Sequence, residues 1–182
     1  MTAYSGGKQR IGKKIADCIQ EFVKDKKYVG YCEPFCGMLS IYHHMVNKDI
    51  NYLAGDLSEN IVLFWEAVKN GWKPPSTVTE EEYNLYKKAE NSAMKCYVGH
   101  QYAFGGSFFN GFGPKYGKTP DSTFACNRIQ KIGEKIKKVK FTCGSYESFS
   151  DLEGYVIYCD PPYKNTKCWY SEKFDNEKFW QW

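Results

Sequence analysis

The chain has 182 residues, of which 42% are hydrophobic, 25% charged and 18% aromatic, so it can bury one sizeable core and shows no bias toward disorder. Its longest apolar runs are five residues, far short of the ~20 that a membrane-spanning helix needs. The net charge of +4 permits a polyanionic partner but does not require one, because 25 bases mixed with 21 acids are ordinary for a protein surface. We therefore predict one compact domain and no membrane span.

The N-terminus and the cysteines indicate an intracellular protein with free thiols. Residues 1–14 carry Lys8, Arg10, Lys13 and Lys14 with no apolar segment behind them, so no secretory signal is visible. The eight cysteines include no CxxC pair, and the three histidines have no paired-ligand spacing. We predict neither disulfides nor a metal site.

The first part of the chain predicts a helix followed by two strand–helix units. Helices are indicated by apolar residues at helical spacing, and strands by short apolar segments that end at acidic, proline or glycine residues. The predicted elements are a helix over residues 11–23, a strand over 28–32, a helix over about 39–47, a strand over 50–54, and a helix over 61–68 capped by Ser58.

The middle of the chain predicts a loop-rich insertion. Residues 71–77 hold two prolines, and residues 99–120 contain six glycines among four phenylalanines. Between them, Thr79 and Glu82 form a capping-box pattern for a helix that should extend to about Lys95. We place the insertion at 71–123, between two parts of one catalytic domain at 1–70 and 124–182.

The strand and helix pattern resumes after the insertion, with a helix over 122–138, a strand over 139–143 and a final helix over 175–182. The apolar run over 155–159 suggests a fourth strand that is covered on both faces. Alternating strands and helices predict an α/β fold with a mainly parallel sheet, whose ligands bind at the carboxyl ends of the strands. Three predicted strands end beside an acid, namely Glu33, Asp56 and Asp160.

The sharpest chemical signal is Asp160-Pro161-Pro162-Tyr163, which follows the last predicted strand. Two prolines fix φ and remove backbone donors, so the turn's carbonyls and the Asp160 carboxylate can only accept hydrogen bonds. Two such acceptors suit an aromatic amino group, because they can turn its nitrogen lone pair out of conjugation toward an electrophile. Tyr163 offers a flat face to the ring. Without its context, the tetrapeptide could equally be a tight turn after a buried strand.

Four motifs in this order resemble those of the Dam-type DNA adenine N6-methyltransferases. They are Tyr4-Ser5-Gly6-Gly7-Lys8, Glu33-Pro34-Phe35-Cys36-Gly37, Asp56 and the turn from Asp160 to Tyr163. The segment Gly105-Gly106-Ser107-Phe108-Phe109 is similar to aromatic and glycine segments of viral and prophage relatives. The resemblance covers nearly the whole chain. It implies a Rossmann-like fold, S-adenosylmethionine as the methyl donor and double-stranded DNA as the substrate.

The resemblance also implies roles for individual residues. Catalysis is implied for Asp160, Pro161, Pro162 and Tyr163, with the flipped adenine stacked on Tyr163. Cofactor binding is implied for Tyr4, Gly7, Lys8, Phe35, Gly37, Asp56 and Asp160. Among these, Tyr4 and Lys8 match positions at the cofactor's methionine end, and Asp56 matches the acid that binds the ribose hydroxyls. The insertion becomes the target-recognition region, with Lys115, Lys118 and Arg128 as candidate phosphate contacts.

The chain departs from the family pattern at three points. Leu39 puts a bulky residue at the second glycine of Gly-x-Gly, where it is expected to crowd the methionine moiety, and Ser145 stands where relatives commonly carry an acid for the cofactor adenine. Family members have three further strands after the catalytic motif, whereas this sequence stops at Trp182. An open edge at the fourth strand predicts self-association, a covering partner, or an aromatic segment at 169–182 that folds back.

The sequence therefore favours an S-adenosylmethionine-dependent DNA adenine N6-methyltransferase. Two alternatives remain at this stage. One is methylation of another conjugated amine, such as an RNA base or a glutamine amide, although those enzymes more often have Asn at the position of Asp160. The other is a catalytically weak nucleic-acid-binding relic, which Leu39, Ser145 and the absent strands favour.

Overall fold

The computed structural model describes residues 3–45, 49–113, 121–163 and 174–182, and at its centre is a parallel four-stranded sheet. The strands are β1 (Gly30–Glu33), β2 (Asn51–Asp56), β3 (Val139–Cys143) and β4 (Tyr155–Ile157). They lie in the order β3-β2-β1-β4, and each neighbouring pair is parallel. The predicted Rossmann-like α/β fold is confirmed. The strand order reverses between β1 and β4, which is where sheets of this kind place their ligands.

The helices that surround this sheet agree with most of the sequence-based expectations. They are α1 (Gly12–Phe22), α2 (Tyr42–Met45), α3 (Glu59–Lys69), α4 (Glu80–Lys88), α5 (Ala93–Gln101), α6 (Thr123–Lys135) and α7 (Asn176–Gln181). Two 3₁₀ turns lie at Phe104–Gly106 and Tyr146–Phe149. Helix α3 packs against α5, α6, β2 and β3, and its Trp65 is completely buried in the core. The predicted end of the second helix, at residues 46–47, lies outside the described residues.

The prediction of a single helix from Thr79 to Lys95 is wrong, because α4 and α5 are separate helices. The capping box at its start is confirmed: the Glu82 amide donates to Thr79 Oγ1 at 3.1 Å, and the Thr79 amide donates to Glu82 Oε2 at 2.7 Å. The break is made by tertiary hydrogen bonds. Asn91 Nδ2 donates to Glu59 Oε2 on α3, and the Ser92 amide donates to Asn60 Oδ1. Ser92 Oγ also accepts from the Lys95 amide as the N-cap of α5, a local signal that the sequence analysis did not use.

Strand β4 is shorter and more exposed than the sequence suggested. It ends at Ile157, whose exposed fraction is 36%, so the expectation that both faces are covered is wrong. The physical reason is its position at the edge of the sheet: β4 pairs with β1 on one side, and no strand within the described ranges pairs with its other side. Beyond the strand, the Tyr158 amide still donates to the Cys32 carbonyl at 2.9 Å, which keeps the following turn close to β1.

Helix α7 packs over the loops that follow β1 and β3. The Phe179 ring lies 5.7 Å from Phe35 and 5.3 Å from Tyr146, and Trp182 Nε1 donates to Ser150 Oγ at 2.8 Å. Residues 164–173, which include Trp169 and Cys168, lie outside the described residues; the other seven cysteines are free thiols. None of the described helices is long and apolar enough to cross a membrane.

Candidate active site

A cleft of about 400 Å³ lies beyond the carboxyl ends of β1, β2 and β4. Its walls come from residues within five segments of the chain, 4–8, 33–41, 56–61, 100–108 and 158–163. Each predicted catalytic and cofactor residue lines this one cleft: Tyr4, Gly7, Lys8, Phe35, Gly37, Asp56, Asp160, Pro161, Pro162 and Tyr163. The structure therefore brings together residues that are far apart in the sequence, while their individual roles stay predictions.

The turn after β4 forms a compact polar group with Lys8. Lys8 Nζ donates to Asp160 Oδ2 at 2.6 Å and to the Gly6 carbonyl at 3.1 Å, and it lies 5.0 Å from the centroid of the Tyr163 ring. The Tyr163 hydroxyl donates to Asp160 Oδ1 at 3.3 Å. Burial lowers the pKa of Lys8, but hydrogen bonds to Asp160 and Tyr163 outweigh burial and raise the pKa above its usual value. Lys8 is therefore charged at neutral pH.

Asp56 organises the loop that follows β1. It is buried, its Oδ2 accepts from the Gly37 amide at 3.0 Å, and its Oδ1 accepts from the Ser58 amide at 2.9 Å. Ser58 itself makes no capping hydrogen bond with its side chain, contrary to the predicted cap. Gly37 has φ of +44°, and a Cβ there would lie 3.3 Å from the Tyr4 ring, so a residue without a side chain suits this position. Asp56 is thus a structural anchor of the cleft as well as a candidate ribose ligand.

The expectation that Leu39 crowds the cleft is wrong. Its side chain is fully buried in the core and does not line the cleft, and its backbone has a left-handed φ of +49°. Met38, Ser40 and Ile41 line the cleft instead. The backbone conformation at Leu39 is one that glycine adopts without strain, which explains why a glycine suits this position in the Gly-x-Gly pattern.

Ser145 is not in the cleft wall, and its hydroxyl accepts from the Glu147 amide at the start of a 3₁₀ turn.

The N-terminal segment 3–8 is anchored to the insertion across the cleft. The Ser5 amide donates to the Gly106 carbonyl at 3.1 Å, and the Ala3 amide donates to Gln101 Oε1 at 2.9 Å. His100 Nδ1 lies 3.1 Å from the same Gly106 carbonyl, so Nδ1 must be the protonated nitrogen. Burial lowers the pKa of His100 to about 4, so the ring stays neutral at physiological pH. Sequence analysis did not identify His100 as a residue of this site, because a lone histidine in a helix gives no signal.

Substitution of Gly106 by alanine is expected to detach this segment. A Cβ at Gly106 would lie 2.5 Å from the Tyr4 nitrogen, and φ there is +70°. Gly105 is a matched control, because its φ of +64° carries the same backbone strain while no atom lies within 4 Å of its Cβ position. Hydrogen exchange at the Ser5 amide should lose its protection in Gly106→Ala and keep it in Gly105→Ala. Equal protection in the two variants would show that the segment is not held at Gly106.

Glu33 is a buried acid in the cleft wall. Burial raises the pKa of Glu33 to about 8, the hydrogen bond from the Tyr31 hydroxyl at 2.7 Å opposes the rise, and the charge of Asp160 adds to it. The other titratable groups around Glu33 are phenols and thiols whose pKa burial also raises: Tyr31, Cys32, Cys36, Tyr42, Tyr158 and Cys159. The cleft therefore holds a neutral carboxylic acid at neutral pH.

Glu33→Gln is expected to change how stability depends on pH. The folded protein binds the Glu33 proton more tightly than the unfolded chain does, so the wild type loses stability as the pH rises from about 4.5 to about 8. Glutamine stays neutral and can still accept from Tyr31, so the variant should be more stable at pH 8 by on the order of a few kcal/mol. Urea denaturation between pH 5 and 8 measures this, with the exposed Glu81→Gln as control. If the free energy of unfolding depended on pH in the same way in Glu33→Gln and in the wild type, Glu33 would be ionised in the folded protein.

Of the three candidate phosphate contacts, Arg128 is the one that the structure describes. Lys115 and Lys118 lie outside the described residues. Arg128 is half-buried on α6, does not line the cleft, and lies near His43 and His44 of α2, where its charge helps to lower the pKa of both histidines after the larger effect of burial. Contact of Arg128 with DNA phosphates therefore stays a prediction.

The sheet order and the cleft define a Rossmann-like domain, a fold class whose ligand sites lie at the carboxyl ends of the strands where the strand order reverses. The chain belongs to the D12 class N6 adenine-specific DNA methyltransferase family, which matches residues 4–105 and 92–179. It is also similar to the retron Ec67 DNA adenine methylase of Escherichia coli, with 27% identity over 147 residues. That match covers 78% of this chain and 44% of the relative, so the matched region spans less than half the length of that protein.

Proposed function

We propose that this chain transfers a methyl group from S-adenosylmethionine to N6 of a flipped adenine in double-stranded DNA. The observation that carries the proposal is that the acceptor-only turn at Asp160 and the loop held by Asp56 line one cleft. One side of the cleft suits an amino group and the other suits a nucleoside. Family membership supports the same reaction.

The residues of the cleft fit a cofactor of this chemistry. A volume of about 400 Å³ is within the ordinary range for small-molecule sites. Asp56 is a hydroxyl-binding acid, the Gly37 backbone allows close approach, and Lys8 is a cation for the cofactor's carboxylate. Bound there, S-adenosylmethionine supplies an electrophilic methyl carbon on a sulfonium.

Asp160 is the residue that prepares the target amine. Its carboxylate and the Pro161 carbonyl can accept hydrogen bonds from the two amino N–H groups, which would turn the nitrogen lone pair out of conjugation with the ring. A cofactor bound there would supply the methyl group, with its carbon–sulfur bond breaking as the bond to N6 forms, and the Asp160 carboxylate would take the proton that the nitrogen then loses. Glu33 cannot take it, because its raised pKa leaves it already protonated.

Tyr163 and the insertion form the substrate side of the proposed site. Tyr163 lines the cleft and is 58% exposed. A ring on which a flipped base stacks must be accessible in this way. His100 and Phe108 bring residues 71–123 to the same cleft. We therefore keep residues 71–123 as the proposed target-recognition region, inserted into a catalytic domain formed by 1–70 and 124–182. The relic hypothesis loses one of its supports, since Leu39 lies outside the cleft.

A methyl-transfer assay tests the proposal. The chain is incubated with methyl-tritiated S-adenosylmethionine and unmethylated duplex DNA, and the DNA is digested to nucleosides. Label should appear in N6-methyldeoxyadenosine, while poly(dG·dC), which contains no adenine, should stay unlabelled. Label in RNA or in protein instead would favour the alternative amine substrates. Cofactor binding without any transfer would favour the catalytically weak relic.

A further inference from the structure

Lys8 already makes the contacts that the proposed function assigns to the target base. Its ammonium donates to Asp160 Oδ2, and it lies over the Tyr163 ring. The other Asp160 oxygen accepts from the Tyr163 hydroxyl. Both carboxylate oxygens are therefore engaged by the protein itself. The Lys8 and Asp160 side chains are only 18% and 22% exposed, so solvent screens this ion pair weakly.

The amino group of an adenine cannot use Asp160 Oδ2 while Lys8 holds it. Both groups are N–H donors that need the same acceptor, and a ring stacked on Tyr163 needs the space that the ammonium takes. Lys8 must therefore move before the base can enter. The movement requires no backbone rearrangement, because the lysine side chain has four flexible carbons and a rotatable ammonium.

The chemistry of the cleft indicates what draws Lys8 away. Among the described residues that line the cleft, Lys8 is the only lysine or arginine. The proposed cofactor carries one carboxylate, at its methionine end, and a carboxylate in the cleft would compete with Asp160 for the ammonium. The release of Lys8 from Asp160 would then vacate the acceptor that the base needs.

We propose that Lys8 is a switch between two carboxylates: it blocks the amine subsite by pairing with Asp160, and it opens that subsite by pairing with the carboxylate of the cofactor. This inference rests on the proposed function. The switch makes the cofactor and the adenine bind cooperatively. By linkage, each ligand increases the affinity of the protein for the other by the same factor. A cofactor analogue without the carboxylate should bind without this effect.

Binding measurements with the wild-type chain test the switch. S-adenosylhomocysteine has the carboxylate but no transferable methyl group, and 5′-methylthioadenosine lacks the carboxylate. The DNA probe is a pool of duplexes with adenine in every four-base context, with poly(dG·dC) as control. S-adenosylhomocysteine should tighten binding to the adenine-containing pool about tenfold, while 5′-methylthioadenosine should not. Neither compound should change binding to poly(dG·dC).

Lys8→Met should abolish this coupling, because Asp160 is then available whether or not the cofactor is bound. Lys13→Met is the matched control, since Lys13 also pairs with an aspartate but on the exposed face of α1, and it should keep the full coupling. Persistent coupling in Lys8→Met, or equal coupling by the two nucleosides, would overturn the switch while leaving the proposed function standing. Failure of S-adenosylhomocysteine to bind at all would instead refute the proposed function, and the switch with it.

A spectroscopic measurement reports the movement of Lys8 independently of DNA. The methylene protons beside Nζ lie near the Tyr163 ring, so ring currents should shift their resonance in protein labelled with ¹³C at lysine Cε. The resonance is assigned by its loss in Lys8→Arg. It should move toward the position of the other lysines when S-adenosylhomocysteine is added and stay in place with 5′-methylthioadenosine. An unchanged resonance at saturation with S-adenosylhomocysteine would contradict the switch.

Discussion

Asp160→Ala is expected to lower the rate of methyl transfer by about 10²- to 10³-fold, the range found when one preorganised polar group of an active site is removed. The variant loses the acceptor for the amino protons and the base for the proton that leaves. Binding to DNA should change little, because the bulk of DNA affinity comes from phosphate contacts elsewhere. Single-turnover transfer from tritiated S-adenosylmethionine measures the rate, and filter binding measures the affinity.

Two further variants separate the chemistry of Asp160 from its ion pair with Lys8. Asp160→Asn keeps one acceptor oxygen without the charge, so its rate should lie between those of the wild type and Asp160→Ala. In the double variant Lys8→Met with Asp160→Ala, no lysine is left unpaired in the cleft, and transfer should remain as slow as in the single alanine variant. Transfer by Asp160→Ala within twofold of the wild type would remove Asp160 from the mechanism.

Asp56→Ala is expected to impair both the fold and cofactor binding. The substitution leaves the Gly37 and Ser58 amides without their acceptor, and each such loss costs ~1–3 kcal/mol of the free energy of unfolding. Loss of the charged acceptor should also weaken S-adenosylhomocysteine binding by ~1.5–3 kcal/mol. Urea denaturation and titration calorimetry measure the two effects.

Asp121→Ala is the matched control for Asp56→Ala. Asp121 Oδ1 also accepts from a backbone amide two residues further on, that of Thr123, but it is exposed and does not line the cleft. This variant should lose little stability and bind S-adenosylhomocysteine as the wild type does. Unchanged cofactor affinity in a folded Asp56→Ala variant would move the ribose contact to another residue.

The sheet and most of the cleft could be predicted because their signals are local. Strands β1 to β3 are short apolar segments with clear ends, and the residues after them carry compact motifs. Parallel strands bring such motifs to one edge of a sheet, so Asp56 and Asp160 could be placed together without knowledge of a single contact. Family resemblance then supplied the roles that pattern alone leaves open.

Features that depend on tertiary contacts could not be predicted. The break between α4 and α5 depends in part on Asn60 of α3, and Leu39 is buried with a backbone angle that is unusual for leucine. The neutral state of Glu33 depends on its surroundings in the folded chain rather than on its neighbours in sequence. The exposure of β4 depends on what lies beside it in the sheet.

The ion pair between Lys8 and Asp160 closes a loop of chain, since the two residues are 152 positions apart in sequence. Such a distant contact is costly in chain entropy, and prior pairing of the intervening strands lowers that cost. We therefore expect the cleft to be completed late in folding, when the N-terminal segment meets the turn after β4. A ring-current shift at Lys8 would thus also serve as an intrinsic reporter of the last step of folding.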